Sequence, residues 1–70
     1  HAGQVVEGDW QDGAITIPTG AVRAESLVLI TPISPPRGAW WVDTLVERES
    51  FTVRSTDPAE QMDFNWLIIN

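Results

Sequence analysis

The sequence predicts an all-β protein, a small antiparallel β-sandwich of five to six strands. Short runs of β-branched, aliphatic and aromatic residues recur along the chain, and turn-forming residues separate them about every eight to twelve positions. This pattern is typical of an antiparallel sandwich or a small barrel. No segment has the 3.6-residue periodicity of an amphipathic helix. The last run, Phe64–Ile69, is apolar on both of its faces.

The run 64–69 determines how the other strands are expected to be arranged, because both of its faces must be covered. In a strand, Phe64, Trp66 and Ile68 point to one side, and Leu67 and Ile69 point to the other. Because neither side suits water, we expect the strand to lie at the centre of a sheet or in an interface between chains. The sequence ends one residue later, so we expect the rest of the chain, or copies of it, to cover this strand.

The other strands are predicted from shorter signals. Pro18 follows the alternating run 14–17 and indicates an edge strand, where a missing N–H donor does no harm. The Gly-bounded segment 8–13 reads as a turn, so residues 1–13 are predicted to be a lead-in and residues 14–70 the sandwich domain. The predicted strands are 4–7, 14–17, 26–31, 40–46, 51–55 and 64–69.

Composition favours an oligomer. A chain of 70 residues buries only about 60% of its unfolded surface, and a core of this size contributes roughly 3–5 kcal/mol. Small domains compensate with disulfides, a metal ion or oligomerisation. The chain has no cysteine, and its single histidine is residue 1. Oligomerisation is therefore the expected source of additional stability.

Charge and motif content narrow the function classes. A net charge of −6 with four arginines and no lysine argues against nucleic acid and anionic membranes. No apolar run approaches the ~18 residues of a spanning helix, so we predict no membrane insertion. Neutral polar partners such as sugars are compatible with this charge.

We predict no catalytic residue, no metal and no cofactor. A Ser-His-Asp or Cys-His arrangement is not expected, because the chain has no cysteine and its one histidine is residue 1. Glu47 and Glu49 flank a predicted turn, where acids ordinarily serve solubility. Three further acids in the first loop could offer oxygen ligands to calcium, but their spacing is not that of an EF-hand. These acids are Glu7, Asp9 and Asp12.

The tryptophans are the most informative side chains. Trp40 and Trp41 are neighbours on one predicted strand, so one can enter the core while the other faces outward or meets another subunit. Trp10 and Asp12 lie in a polar loop and are candidate ligand-binding residues, and we expect Trp10 to matter less for stability than Trp66. The predicted core or oligomer-interface residues are Trp40, Trp41, Phe64, Trp66 and Ile68.

Four segments carry a resemblance to known proteins: 15–17, 26–32, 50–53 and 64–68. Their order resembles the small β modules at the C-terminal tips of phage tail fibres and related fibrous proteins. It is also similar to the H-type lectin fold, whose latter half has a Gly-Phe-Thr-Val element before a Trp-containing last strand. Ser50 stands here where the lectin pattern has glycine.

The resemblance implies a trimer of compact β-sandwich subunits, because both families form one. The implied function is a non-enzymatic trimerisation or capping domain at the C-terminus of a fibrous protein, with copies of itself as partners. The implied location is a virion tail fibre or an extracellular surface. The alternative is a lectin-like module that binds a carbohydrate or receptor, with a cell-surface glycan as partner.

Overall fold

The computed structural model describes all 70 residues and contains six strands and no helix. Each strand is short and rich in β-branched or aromatic residues, the types that fit a pleated, half-buried surface. The strands are β1 (Ala2–Val5), β2 (Ala14–Pro18), β3 (Leu27–Pro32), β4 (Trp40–Val46), β5 (Ser50–Ser55) and β6 (Phe64–Ile69).

The strands form two three-stranded antiparallel sheets. The first sheet has the order β1-β6-β3 and the second sheet the order β2-β5-β4. Of the two positions expected for the last apolar run, the structure has the one at the centre of a sheet, because β6 pairs with β1 on one side and with β3 on the other. Strand β2 lies at an edge and ends at Pro18, as the proline indicated.

The core lies between the two sheets. Alternate residues of β6 point inward and meet the inward residues of β2 and β5. The ring of Phe51 in the second sheet packs edge-on against Trp66 in the first, with ring centroids 5.4 Å apart. The buried apolar residues are Trp10, Ile15, Ile17, Val22, Phe51, Val53, Met62, Phe64, Trp66 and Ile68.

The first thirteen residues are part of this architecture rather than a lead-in to it. β1 runs over Ala2–Val5 instead of the predicted 4–7 and pairs with β6. The strand ends there because the backbone turns at Glu7, whose φ is +51°. Gly3 lies opposite Trp66 in the ladder and leaves space for its ring.

The structure also corrects the expectation for Trp10, which is buried in the core. A tight turn at Asp12 and Gly13, with φ of +51° and +80°, joins Gln11 to β2. The indole N–H of Trp10 donates to the main-chain oxygen of Met62 at 3.0 Å. Trp10 therefore presents no exposed ring for a ligand, whereas Asp12 is exposed on the turn.

A β-bulge in β4 changes which side chains face outward. The register with β5 shifts between Val42 and Thr44, so Asp43 is an extra residue. Asp43 and Thr44 are both exposed, and Leu45 turns inward against the core. A regular alternation along β4 predicts Leu45 on the same side as Trp41, and the bulge makes this prediction wrong. Trp40 packs against the core and Trp41 faces outward.

Candidate functional site

The outer face of the first sheet is the first candidate surface. Strict alternation in β3 and β6 turns one side of each strand away from the core. Four large aliphatic side chains on that side are 40–61% exposed. They stand in two directly opposed cross-strand pairs, Leu27 with Ile69 and Leu29 with Leu67. We call these four residues the apolar face.

Polar side chains border the apolar face at one end. The side-chain amide of Gln4 donates to Oδ1 of Asn65 at 3.0 Å, across the pairing of β1 with β6. Gln4 and Asn65, together with Thr31, Leu29 and Leu67, line a groove of about 620 Å³. No charged residue occurs in β1, β3 or β6. The first sheet therefore offers an uncharged surface on a chain whose net charge is −6.

The outer face of the second sheet is different in character. Trp41 is 41% exposed there and lies opposite Arg54 in the ladder. Its indole N–H donates to Oδ1 of Asp43 at 3.2 Å, and Nε of Arg54 donates to Oδ2 at 3.2 Å. The hydroxyl of Thr44 also donates to Oδ2, at 3.1 Å. We call these four residues the tryptophan face.

The tryptophan face is held together by the ionised carboxylate of Asp43. The hydrogen bond from Trp41, followed by those from Thr44 and Arg54, lowers the pKa of Asp43 below its ordinary value. The contact of Arg54 with Asp43 is the single ion pair in the structure. The terminal guanidinium nitrogens of Arg54 form no hydrogen bond within the chain, so they remain available as donors.

The interior of the molecule contains one carboxylate that the sequence analysis did not single out. Glu60 is fully buried, and its oxygens accept hydrogen bonds from five groups. The donors are the main-chain N–H groups of Arg37 (3.0 Å to each oxygen), Gly38 (3.2 Å), Gln61 (3.1 Å) and Met62 (3.2 Å) and the hydroxyl of Ser55 (2.8 Å). No buried side-chain polar atom lacks a partner.

Hydrogen bonding rather than an ion pair keeps Glu60 charged. Burial is the largest single influence and raises the pKa of Glu60, but the hydrogen bonds from Arg37, Ser55, Gly38 and Gln61 outweigh it and lower the pKa. No sequence pattern reveals this site. The donors Arg37 and Gly38 are 23 and 22 positions away along the chain.

The remaining predicted residues are distributed through the fold. Phe64, Trp66 and Ile68 all point into the core. The acids considered for calcium do not form a metal-ligand cluster, since no three His, Cys, Asp or Glu side chains come close enough together. Glu47 and Glu49 are exposed at the β4–β5 turn.

The structure contains no helix that could cross a membrane. Comparisons of the chain with protein-family models, with curated proteins and with solved structures found no match. The two outer faces are therefore the features of the molecule from which a function can be argued.

Proposed function

We propose that this chain is a non-enzymatic trimerisation domain of a fibrous protein such as a phage tail fibre. The surface that three copies bury is the apolar face. The observation that carries the proposal is the 40–61% exposure of four large aliphatic side chains on one sheet face of a single chain. Contiguous exposed apolar patches of this kind typically mark interaction sites.

The apolar face is a source of stability that the single chain leaves unused. Fully burying one aliphatic side chain contributes about 1.5–3 kcal/mol, and each of these four still exposes a large fraction of its surface. In a small domain whose own core contributes little more than this, contact with another copy adds a substantial share. Folding and assembly are then coupled by mass action.

Charge favours a second copy of the same chain as the occupant of this surface. Two chains that each carry a net charge of −6 repel one another wherever their acids meet. The first sheet has no charged residue in any of its three strands, so copies can meet there with their carboxylates held apart. The polar pair Gln4 and Asn65 at one end of the face supplies hydrogen-bonding groups that set the register.

Threefold symmetry is the arrangement that the resemblance to fibre modules implies. Each chain has one apolar face, and three chains around a common axis can all turn that face inward. Such a ring closes on itself, as most homo-oligomers do. Because the contacts come from β3 and β6, the assembly needs no exchanged segment between subunits.

Light scattering tests this proposal directly. We expect a mass near three times the 7.8 kDa chain at micromolar concentration. The double substitution Leu29→Glu and Leu67→Glu places two negative charges at facing positions of the apolar face. This variant should give the single-chain mass with an unchanged β-type circular dichroism spectrum. Thr16→Glu, on an exposed position of the second sheet, is the matched control. A wild-type mass near 7.8 kDa would refute the proposal.

A second candidate function, binding of a neutral saccharide, is favoured by the tryptophan face. An exposed ring whose N–H is fixed by Asp43 is a preorganised apolar platform. The carboxylate of Asp43 and the free donors of Arg54 lie beside it and can bond a pair of sugar hydroxyls. Since Asp43 neutralises Arg54 and the chain is acidic, an uncharged ligand fits better than an anion.

Titration with methyl glycosides of galactose, glucose and mannose tests this second candidate. The indole N–H resonance of Trp41 should shift in a saturable manner with at least one of them, and Trp41→Ala should weaken binding about tenfold or more. Val46→Ala, another exposed apolar position of β4, should leave binding unchanged. Absence of any saturable shift, or equal binding by Trp41→Ala, would exclude the tryptophan face as the site.

A further inference from the structure

We propose that Glu60 is an acid-operated latch that holds residues 35–38, in the loop between β3 and β4, against the loop between β5 and β6. The latch is closed while the carboxylate is charged and opens when the carboxylate takes up a proton. The two sheets stay paired in both states. The device concerns one end of the fold and is independent of how many copies assemble.

The geometry of the carboxylate places it between the two loops. On one side it accepts the main-chain N–H groups of Arg37 and Gly38. On the other side it accepts the hydroxyl of Ser55 and the N–H groups of Gln61 and Met62. Each of these partners donates to the carboxylate, and four of the five are main-chain N–H groups, which can only donate. A protonated carboxyl would turn one of its oxygens into a donor, which cannot bond a neighbouring N–H.

The segment 35–38 has no other bond that would hold it. Just before it, the hydroxyl of Ser34 accepts the N–H of Asp63 at 2.8 Å, which fixes the loop at that point. Just after it, Ala39 exchanges two bonds with Thr56, at 3.1 and 2.9 Å. Between these anchors, the recorded hydrogen bonds of the segment all end on Glu60. Protonation of that carboxylate therefore releases residues 35–38, which form a short bridge between the fixed points at Ser34 and Ala39.

Close packing makes the position of the bridge sensitive to this release. A Cβ added at Gly38 would lie 2.5 Å from the hydroxyl oxygen of Thr56. The bridge thus lies tightly against the β5–β6 loop, with glycine as the residue at the closest approach. The bonds from Arg37 and Gly38 to the carboxylate hold the bridge at this close approach.

No ion pair competes with this mechanism. The charged residues on the two loops and their flanks are Arg37, Asp57 and Asp63, and none of them pairs with Glu60. The side chain of Asp57 accepts the N–H of Ala59, and that of Asp63 accepts the N–H of Glu7. Arg54, which follows Val53 on β5, pairs with Asp43 on the outer face.

The direction of the pKa shift sets the pH at which the latch opens. Burial raises the pKa of Glu60, but the hydrogen bonds from Arg37, Ser55, Gly38 and Gln61 outweigh it, so the pKa lies below its ordinary value of 4.5. A carboxyl whose folded pKa is depressed adds stability above its unfolded pKa and loses it as the pH falls through the folded pKa. The latch is therefore closed at neutral pH and opens in acid, below pH 4.5.

Nuclear magnetic resonance over a pH titration tests the latch. We expect the amide resonances of Arg37 and Gly38 to move in one step together with the carboxyl carbon of Glu60. Amide exchange at these two residues should rise by about tenfold or more relative to the Val53 and Trp66 amides measured at the same pH. The Val53 and Trp66 amides should stay protected through that step. Loss of protection throughout the protein in the same step would overturn the latch, since it would show global unfolding.

Two variants sharpen the test. Glu60→Gln keeps the shape but replaces one carboxylate oxygen with an NH2 group, which donates and cannot accept, so it should release Arg37 and Gly38 at neutral pH and abolish the step. If that variant does not fold, Ser55→Ala removes one donor to the charged form and should move the step to higher pH. Glu49→Gln, an exposed acid, should leave the step where it is. An unchanged step in Ser55→Ala would count against the latch.

Discussion

Gly3 lies opposite Trp66 in the β1–β6 ladder, and a Cβ added at Gly3 would come within 2.5 Å of two carbons of the indole ring. The Trp66 ring is held in place from the other sheet by its edge contact with Phe51. An alanine at position 3 must therefore push either β1 or Trp66 out of position.

We expect Gly3→Ala to lower the free energy of unfolding by about 1–3 kcal/mol, the usual cost of overpacking. In a domain of this size that corresponds to roughly 4–8 °C in Tm per kcal/mol. Gly20→Ala is the matched control, because its Cβ would meet only the Arg48 oxygen at 3.8 Å. Equal melting temperatures for the two variants would show that β1 accommodates the methyl group freely.

Because Trp10 is buried in the core, we expect its substitution to lower the free energy of unfolding. Trp10→Phe keeps a ring in the core but leaves the buried oxygen of Met62 without its donor, which costs about 1–3 kcal/mol. Trp10→Ala also opens a cavity and should cost about 3–5 kcal/mol. Trp41→Ala, at an exposed position, should change stability much less. Urea unfolding of the three variants measures the differences, and a larger loss for Trp41→Ala than for Trp10→Phe would contradict this assignment.

The Asp43 carboxylate should control the tryptophan face through its charge. Its pKa is lowered by the hydrogen bonds from Trp41, Thr44 and Arg54, so these bonds persist above its ordinary value of 3.8 and are lost as the pH falls through the lowered pKa. We expect the indole N–H resonance of Trp41 to shift in a single acid step. Asp43→Asn should remove that step, whereas a step that survives the substitution would assign it to another group.

The β4–β5 turn offers a stabilising substitution. Arg48 has a φ of +63°, a left-handed conformation that costs a residue with a Cβ roughly 1–2 kcal/mol. Its main-chain N–H donates to Val22 at 2.8 Å, a bond that glycine retains. Arg48→Gly should raise stability by about 0.5–1 kcal/mol after the added chain entropy of glycine is counted. Glu47→Gly, at an ordinary backbone conformation, should lower it, and thermal unfolding of the pair decides the sign.

Strands with clean apolar runs were predictable from the sequence alone. The predicted bounds of β4 and β6 match the structure, because both runs are long, rich in β-branched or aromatic residues and bounded by turn residues. Trp10 was not predictable in this way. Its neighbours along the chain are polar, and the carbonyl that satisfies its indole belongs to Met62, 52 positions away.

The candidate sites were predictable only in part, because they also depend on contacts between residues that are distant in the sequence. That Trp40 and Trp41 face opposite sides follows from strand geometry, and the structure places them so. The approach of Arg54 to Asp43 depends on the β4–β5 register and on the bulge, neither of which a single strand reveals. The apolar face follows from the alternation in β3 and β6, but its width depends on their pairing.

The position of β6 at the centre of the first sheet has a consequence for how the chain folds. Strands β2, β4 and β5 can complete the second sheet early, and β4 and β5 are joined by a short local turn. The first sheet has no such local start, since β1 and β3 meet only through the last strand of the chain. Topologies dominated by pairings distant in sequence fold slowly. During synthesis, the apolar surfaces of β3 and of the inner face of the second sheet therefore stay exposed until residues 64–69 have been made. Aggregation is most favoured during this interval.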